Sequence, residues 1–302
     1  MKVSFGEKLN RQDSSGKHKF LHRLSKEFKE QGIDVVDKQA DVFLHIGRNL
    51  DQRKGAKRSV MRVDGLILNS DMPYRKMNKK MLRGIGESDG VIYQSQFCKK
   101  AHEKFLGVKK KNAVIFNGAD PKEFSPRNPQ NFFLAVAKWR PHKRLKNICD
   151  AFLHARNLGL DADLVIVGEH GKRIKEKHVN DLGELNNKQL QRYLSEAIAM
   201  IHISWLDWCA NSQIESIVAH CPLVYSDSGG SAEVGKNCGI AIKDVQWDFK
   251  TPVRLYKPPE LSLDDIAHAM ITLKHSSYVT ESKSFHVKSI ARQYIDFFKS
   301  LG

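Results

Sequence analysis

Residues 199–233 read AMIHISWLDWCANSQIESIVAHCPLVYSDSGGSAE. The apolar run Ala199–Ile203 predicts a strand ending near Ser204, and the loop after it carries one acid, Asp207. Glu215, eight positions on, opens a predicted helix over about Ile214–His220. A second strand, Pro222–Tyr225, runs into the turn-forming Asp227-Ser228-Gly229-Gly230. Strand, helix and strand in this order make a parallel pair. In open parallel sheets, ligands sit at the carboxyl ends of the strands, and both loops fall there. Carboxylates at that end accept hydrogen bonds from sugar or ribose hydroxyls, while free amides at a helix start favour phosphate oxygens. The stretch asks for a ligand that joins a sugar to a phosphate.

The same alternation of short apolar runs and amphipathic segments extends along the chain, so the predicted class is α/β with parallel sheets. Strands are read near Lys2–Phe5, Val35–Val36, Val42–Ile46, Ser59–Val63, Val91–Gln94 and Ala113–Phe116. A second set comprises Phe132–Ala137, Leu164–Val167, Ala199–Ile203, Pro222–Tyr225 and Gly239–Ile242. Phe20, Leu21, Leu24 and Phe28 recur at helical spacing over about Lys17–Gln31, with Gly32 as the C-cap. Turn formers crowd Asn117–Pro129, so the domains are read as 1–128 and 129–284. The final helix, about Phe285–Leu301, is read as core packing and is expected to return to the first domain.

The 302 residues carry 50 Lys and Arg against 34 Asp and Glu, a net charge of +16 that suggests an anionic partner. Residues 1–128 hold 28 basic and 15 acidic residues, hence +13, and the remainder only +3. The N-terminal stretch has no apolar core of signal-peptide length, and no run approaches the ~20 apolar residues of a membrane span. The five cysteines form no CxxC pair, which disfavours a disulfide framework or a structural zinc and favours a reducing cytoplasm.

Several short segments, in register with the opening stretch, resemble retaining, family-4-like glycosyltransferases (glycosyl transferases group 1) of the GT-B fold. Asp207-x7-Glu215 with Pro222-Leu223-Val224 and Ser226–Glu233 resembles the E-x7-E and G-x-P-V-x-x-S-D-x-G-G-x-x-E region of that family. Ala135–Lys143 resembles its V-G-R-x-x-x-x-K, Leu164–Gly168 its L-x-I-V-G, His178–Gly183 its V-x-F-L-G, Leu190–Ala197 its L-x-x-x-Y-x-x-A, and Val114–Phe124 its interdomain link. The resemblance spans about residues 90–240. It implies two Rossmann-like domains whose parallel sheets face an interdomain cleft.

It also implies a nucleotide-diphosphate sugar, UDP- or GDP-linked, held by the second domain without an essential metal or other cofactor. The donor-binding residues carried over are Lys138, Arg140, Lys143, Val179, Asp207, Cys209, Ala210, Asn211, Ser212 and Glu215, with Gly16 from the first domain. Lys138 and Lys143 would neutralise the leaving diphosphate, with Lys138 standing where the family has Arg. Glu215 would accept from the ribose and Asp207 from the transferred sugar. The family's first acid is usually Glu before a glycine-containing turn. Here Asp207-Trp208-Cys209-Ala210 has a shorter acid and no glycine.

In the first domain, Asp13-Ser14-Ser15-Gly16 takes the place of a glycine-rich acceptor-side loop. Asp64, in Arg62-Val63-Asp64-Gly65, stands where many members place a histidine and is the fourth catalytic candidate with Lys138, Lys143 and Asp207. Tyr93-Gln94-Ser95 resembles a pattern lining the cleft. Implied partners are a glycan or lipid-linked acceptor and, given the +13, an anionic membrane surface contacted peripherally. Nucleic acid is disfavoured because no binding module is present, and charge runs such as Lys109-Lys110-Lys111 are usually solvated. A polyanion-binding protein, a nucleotide-sugar epimerase, a phosphorylase and an inactive relative are the competing readings.

Overall fold

The computed structural model describes residues 1–6, 16–46 and 55–302, and divides into two compact units. Unit 1 comprises Met1–Ala119, Asp248–Val253 and Ser284–Gly302; unit 2 comprises Asp120–Trp247 and Arg254–Lys283.

Unit 1 runs β1 (Lys2–Phe5), α1 (Gly16–Glu30), β2 (Asp34–Val35), β3 (Val42–Ile46), β4 (Arg58–Val63), α2 (Tyr74–Glu87), β5 (Gly90–Tyr93), α3 (Gln96–Phe105) and β6 (Asn112–Val114). These strands form one parallel sheet in the order β2-β1-β3-β4-β5-β6. β3 and β5 are buried throughout and β4 from Ser59 on, as a sheet covered on both faces requires. Phe20, Leu21, Leu24 and Phe28 of α1 enter the core on one face. Ile290, Tyr294, Phe297 and Phe298 of the final helix join them there, with Phe28 6.3 Å from Tyr294 and 6.0 Å from Phe298, ring to ring. Each such buried ring contributes about 1.5–3 kcal/mol.

Unit 2 runs β7 (Phe132–Val136), α4 (Leu145–Asn157), β8 (Asp163–Val167), β9 (Val179–Gly183), α5 (Asn187–Glu196), β10 (Met200–His202), α6 (Asn211–Val218), β11 (Leu223–Ser226), α7 (Gly229–Gly235), β12 (Gly239–Ile242) and α8 (Leu263–Lys274). The final helix α9 (Val287–Ser300) belongs to unit 1. The unit 2 strands are parallel in the order β12-β11-β10-β7-β8-β9. Phe133, Leu164, Ile166 and Ile201 of the sheet pack with Ile148 and Phe152 of α4 and Ile266 and Met270 of α8. The chain leaves β7 toward one edge, then returns to β10 on the other side. That reversal opens a crevice at the carboxyl ends of β7 and β10, the topological switch point of such sheets.

The change of unit falls between Ala119 and Asp120, nine residues before the boundary at 128 read from the turn formers. Residues 120–130 are tied to unit 2 by polar contacts. Arg127 donates to the carbonyls of Ser195, Ala197 and Ile198, the Asn128 amide to Ser195, and Gln191 to Glu123. A second departure is the short segment Asp248–Val253, which belongs to unit 1: Val253 pairs with the backbone of Leu68 and Ser70, and Phe249 packs 5.4 Å from Phe97.

Candidate active site

The loop after β7 is held by backbone and indole contacts. Trp139 donates its amide to Glu169 O at 3.0 Å and its Nε1 to Val167 O at 3.1 Å, so this loop is fastened to the end of β8. Gly168 makes the fit possible: its φ is +118°, and a Cβ there would lie 1.8 Å from the Ala137 carbonyl oxygen. One 3-10 turn, Pro141–Lys143, ends at Arg144 in the left-handed region at φ 57°, and α4 starts from it.

Arg144 turns inward. Its guanidinium is buried and donates to both Asp244 oxygens at 2.7 and 3.0 Å, to Ile203 O at 2.9 Å and to Pro259 O at 2.9 Å. Asp244 also accepts from Ser226 Oγ at 2.6 Å and Ser228 Oγ at 2.9 Å. Burial alone would raise the Asp244 pKa, but Arg144 and the Ser226 hydroxyl hold it below the usual value. One arginine thereby joins the strand ends of β10, β11 and β12 to the start of α4. The motif reading passed over Arg144. Its neighbour Lys143 filled the family position, and nothing local marks an arginine as buried.

Lys143 donates to Oδ2 of Asp207 in the loop after β10, and the two side chains are 17% and 12% exposed. His202, the last residue of β10, is 3% exposed and places Nε2 3.5 Å from the same oxygen. Burial by itself raises the Asp207 pKa, but Lys143 and His202 outweigh it and hold the carboxyl well below the usual range. His202 is shifted down by burial, with Asp207 opposing. Behind this pair, the His142 ring stacks on Tyr256 at 5.6 Å. Burial and then Lys143 depress His142 to about 4, so it is neutral at pH 7.

The loops after β10 and β11 touch through glycine. A Cβ at Gly229, where φ is +66°, would sit 2.7 Å from Asp207 O and 2.8 Å from Leu206 Cα; the Gly230 amide donates to Asp207 O at 2.6 Å. This is why Gly-Gly follows the strand.

Helix α6 starts at Asn211, three residues before the predicted Ile214, which moves Asn211 and Ser212 from the loop into the first turn. The N-cap is Ala210, with no side chain to accept from the first-turn amides; α2, α4, α7 and α9 also lack a side-chain cap, whereas Ser95, Asn186 and Ser262 cap α3, α5 and α8. An uncapped helix start leaves donors for an anion. Glu215 follows one turn in and is 6% exposed. Cys209 and Ala210 are buried as loop wall.

Other expected residues stand apart from this cluster. Lys138 pairs with Glu169 at 2.7 Å, both well exposed, and Arg140 is also exposed. Val179 opens β9, pairs with Leu164 and is packed in the core, at the end of the strand away from the carboxyl loops. Its side chain is a core residue there; the carboxyl end of β9 is Gly183. Asp181, with its side chain 3% exposed, organises that end, accepting from the Ile174 amide at 3.0 Å and facing His170 Nε2 at 3.0 Å and Arg173 Nη1 at 3.1 Å.

In unit 1, Asp64 follows β4 and pairs with Arg62, whose side chain is 3% exposed. Arg62 also donates to Gln94 Oε1 at 3.2 Å and to Asn117 Oδ1, and its guanidinium lies 4.8 Å from the Phe20 ring. The carboxyl ends of β4, β5 and β6 thus share a polar network whose centre, Arg62, was quoted in the sequence but not assigned. Gly16 is the first residue of α1. Asp13, Ser14 and Ser15 lie outside the described residues. Among the described residues no group of three or more His, Cys, Asp or Glu side chains could hold a metal ion, and no helix is long and apolar enough to cross a membrane.

Comparison with known families bears on unit 2. Residues 117–248 match glycosyl transferases group 1. The group 1 region covers the Lys143 loop, Asp207, α6 and the Gly229 turn. No curated protein matches the chain in sequence. Among solved structures, a sucrose-phosphate synthase from Thermosynechococcus elongatus is 13% identical over 99% of this chain and 98% of its own, with a TM-score of 0.73. AviGT4, a glycosyltransferase involved in avilamycin A biosynthesis, is 17% identical over 99% and 97%, with a TM-score of 0.67. Anabaena Alr3699/HepE in complex with UDP-glucose is 14% identical over 99% and 100%, with a TM-score of 0.64. The fold is that of GT-B glycosyltransferases, with two six-stranded parallel sheets, as the motifs implied.

Proposed function

We propose that the chain is a nucleotide-sugar-dependent glycosyltransferase that acts with retention and without an essential metal. The observation that carries this reading is the Lys143–Asp207 pair at the switch point of unit 2, beside the uncapped start of α6 within the group 1 region. The donor diphosphate takes Lys143 from Asp207 and receives first-turn amides of α6, which releases Asp207 to accept from hydroxyls of the transferred sugar. Lys138 contributes a second cation; its Glu169 partner is solvated, so exchanging it for phosphate costs little. Glu215 accepts from the ribose.

Reaction breaks the bond between the anomeric carbon and the diphosphate oxygen, and forms a bond from the acceptor oxygen on the same face. The acceptor proton passes to the leaving phosphate oxygen, so no enzymic nucleophile is used. Unit 1 serves the acceptor, with Asp64, oriented by Arg62, as its polar group and Gly16 at the start of α1. The acceptor class is a glycan or a lipid-linked glycan.

UDP-glucose is the first donor to test, because it is the ligand of the HepE structure. A panel of UDP- and GDP-sugars is screened by thermal shift and by release of nucleoside diphosphate, with and without EDTA. NMR then reads the anomeric configuration of the product. Stabilisation by a nucleotide sugar and EDTA-insensitive turnover support the reading; no shift and no hydrolysis with any donor overturn it.

A further inference from the structure

Helix α2 carries an unusual distribution of charge. Its sequence is YRKMNKKMLRGIGE, and Arg75, Lys76, Lys79, Lys80 and Arg83 are all exposed. At 3.6 residues per turn these five positions fall within about 140° of the circumference and along about 12 Å of the axis. Asn78, Met81, Gly84 and Ile85 are buried on the opposite side. The helix presents one straight cationic stripe.

That stripe opposes the helix's own stability. Arg75 and Lys79, Lys76 and Lys80, and Lys79 and Arg83 are like charges four apart, which repel. Arg75 and Lys76 also lie in the first turn, where the helix dipole disfavours cations, and that turn has no acid and no side-chain cap. The only acid in α2 is Glu87, paired with Arg83 at 2.8 Å. Arg75 is further engaged with Tyr74, to whose hydroxyl it donates at 3.2 Å. Among the described residues, Lys76, Lys79 and Lys80 meet no carboxylate. Lys110 adds a cation at the far end by donating to Gly86 O at 3.1 Å. Local repulsion of this kind is offset by an anionic surface outside the protein.

We infer that the exposed face of α2 docks on an anionic lipid bilayer. The stripe is exposed along its length, and the half-buried Met77 and Leu82 flank it, so lipid headgroups meet cations with apolar groups at the margin. A nucleic-acid surface fits less well, because Tyr74, the helix's one aromatic, is half-buried against Phe105 at 6.0 Å and offers no ring for base stacking. The contact is independent of the glycosyltransferase reading.

The test is co-sedimentation of the full chain with phosphatidylcholine vesicles, with vesicles containing phosphatidylglycerol, and with duplex DNA at low and high salt. The expected result is partition onto the anionic vesicles only, weakened by salt. Lys76→Glu/Lys79→Glu/Lys80→Glu should lower it by about tenfold or more. A control with equal change of net charge, Lys236→Glu/Lys243→Glu/Lys257→Glu in unit 2, should retain at least half of the binding by the same single-surface logic. Unaltered far-UV circular dichroism and thermal melts establish that both variants are folded. No partition onto anionic vesicles, equal loss in both variants, or tighter binding to DNA overturns the inference.

Discussion

Lys143 and Asp207 neutralise each other across the loops that follow β7 and β10, with 17% and 12% of their side chains exposed. Removing Lys143 therefore does two things: it strands a nearly buried carboxylate and deprives the proposed diphosphate of its cation. Lys143→Ala should lower stability by about 3 kcal/mol and kcat by at least about 100-fold. Adding Asp207→Asn should recover much of the stability and none of the kcat. Thermal melts and donor-hydrolysis kinetics on the two variants check this. Recovery of kcat in the double variant contradicts the role given to Lys143.

Glu215 is assigned to binding rather than to the chemical step. Glu215→Ala should weaken nucleotide affinity by about tenfold or more, as loss of a charge-assisted acceptor does. Titration calorimetry with UDP and GDP reads the effect, and unchanged affinity for both removes Glu215 from the site.

Glycine at 229 is required by the contact with the Asp207 loop. Gly229→Ala combines a φ of +66° with a Cβ 2.7 Å from a carbonyl oxygen, neither of which a flexible neighbour can relieve. The expected cost is about 2 kcal/mol or more, together with weaker donor binding, because Asp207 must shift. Urea melts and calorimetry measure both.

Buried histidines set an acid-side stability slope. His102 and His142 titrate at about 4, the first because it is buried and the second through burial and then Lys143. Their folded pKa values lie below the unfolded ~6.5, so the unfolded chain binds more protons between about 6.5 and 4 and stability falls as pH drops through that window. From pH 7 to 5 each should contribute a loss of about 2 kcal/mol. His102, whose Nδ1 donates to the Cys98 carbonyl at 2.7 Å, is far from the Lys143 loop in sequence and element. Denaturation at the two pH values should show the loss reduced by about 2 kcal/mol in His102→Gln, with His142 and His202, which burial shifts the same way, still contributing. Asp207 acts in a separate window: its lowered pKa keeps its contribution until pH falls well below the usual carboxylate range.

Arg144 holds four elements by one buried guanidinium. Arg144→Met should cost about 3–5 kcal/mol, since Asp244 loses its counter-charge. Arg144→Lys should not rescue it, because an ammonium cannot serve both Asp244 oxygens and two carbonyls together. Equilibrium unfolding of the three proteins decides the point.

Much of this was legible from sequence because strongly apolar strands and clear turn formers carry it. The segments around Val42–Ile46 and Leu164–Val167 are buried throughout and read as strands at once. β9 escaped the strand reading because it lies at the sheet edge, where Asn180 and Asp181 interrupt the apolar pattern. The start of α6 was set too late because Asn211 and Ser212 look like loop residues, yet they suit a first turn as well. The unit boundary was missed because Arg127 reaches three carbonyls distant in sequence. Asp207 and Glu215 could be singled out by their spacing alone. Arg62, Arg144 and His202 could not, since their meaning arises only where several strand ends converge.

Helix α9 imposes an order on synthesis. The aromatic residues that close the core of unit 1 lie in residues 284–302, and its six strands are all made before residue 115. The last residue of unit 2, Lys283, is added just before the segment that covers the unit 1 core. The half of the chain that is translated first is therefore the half that matures last. Until residues 284–302 are released, Phe20, Leu24 and Phe28 wait without their cover, so the first-made part of unit 1 is exposed to chaperones and proteases.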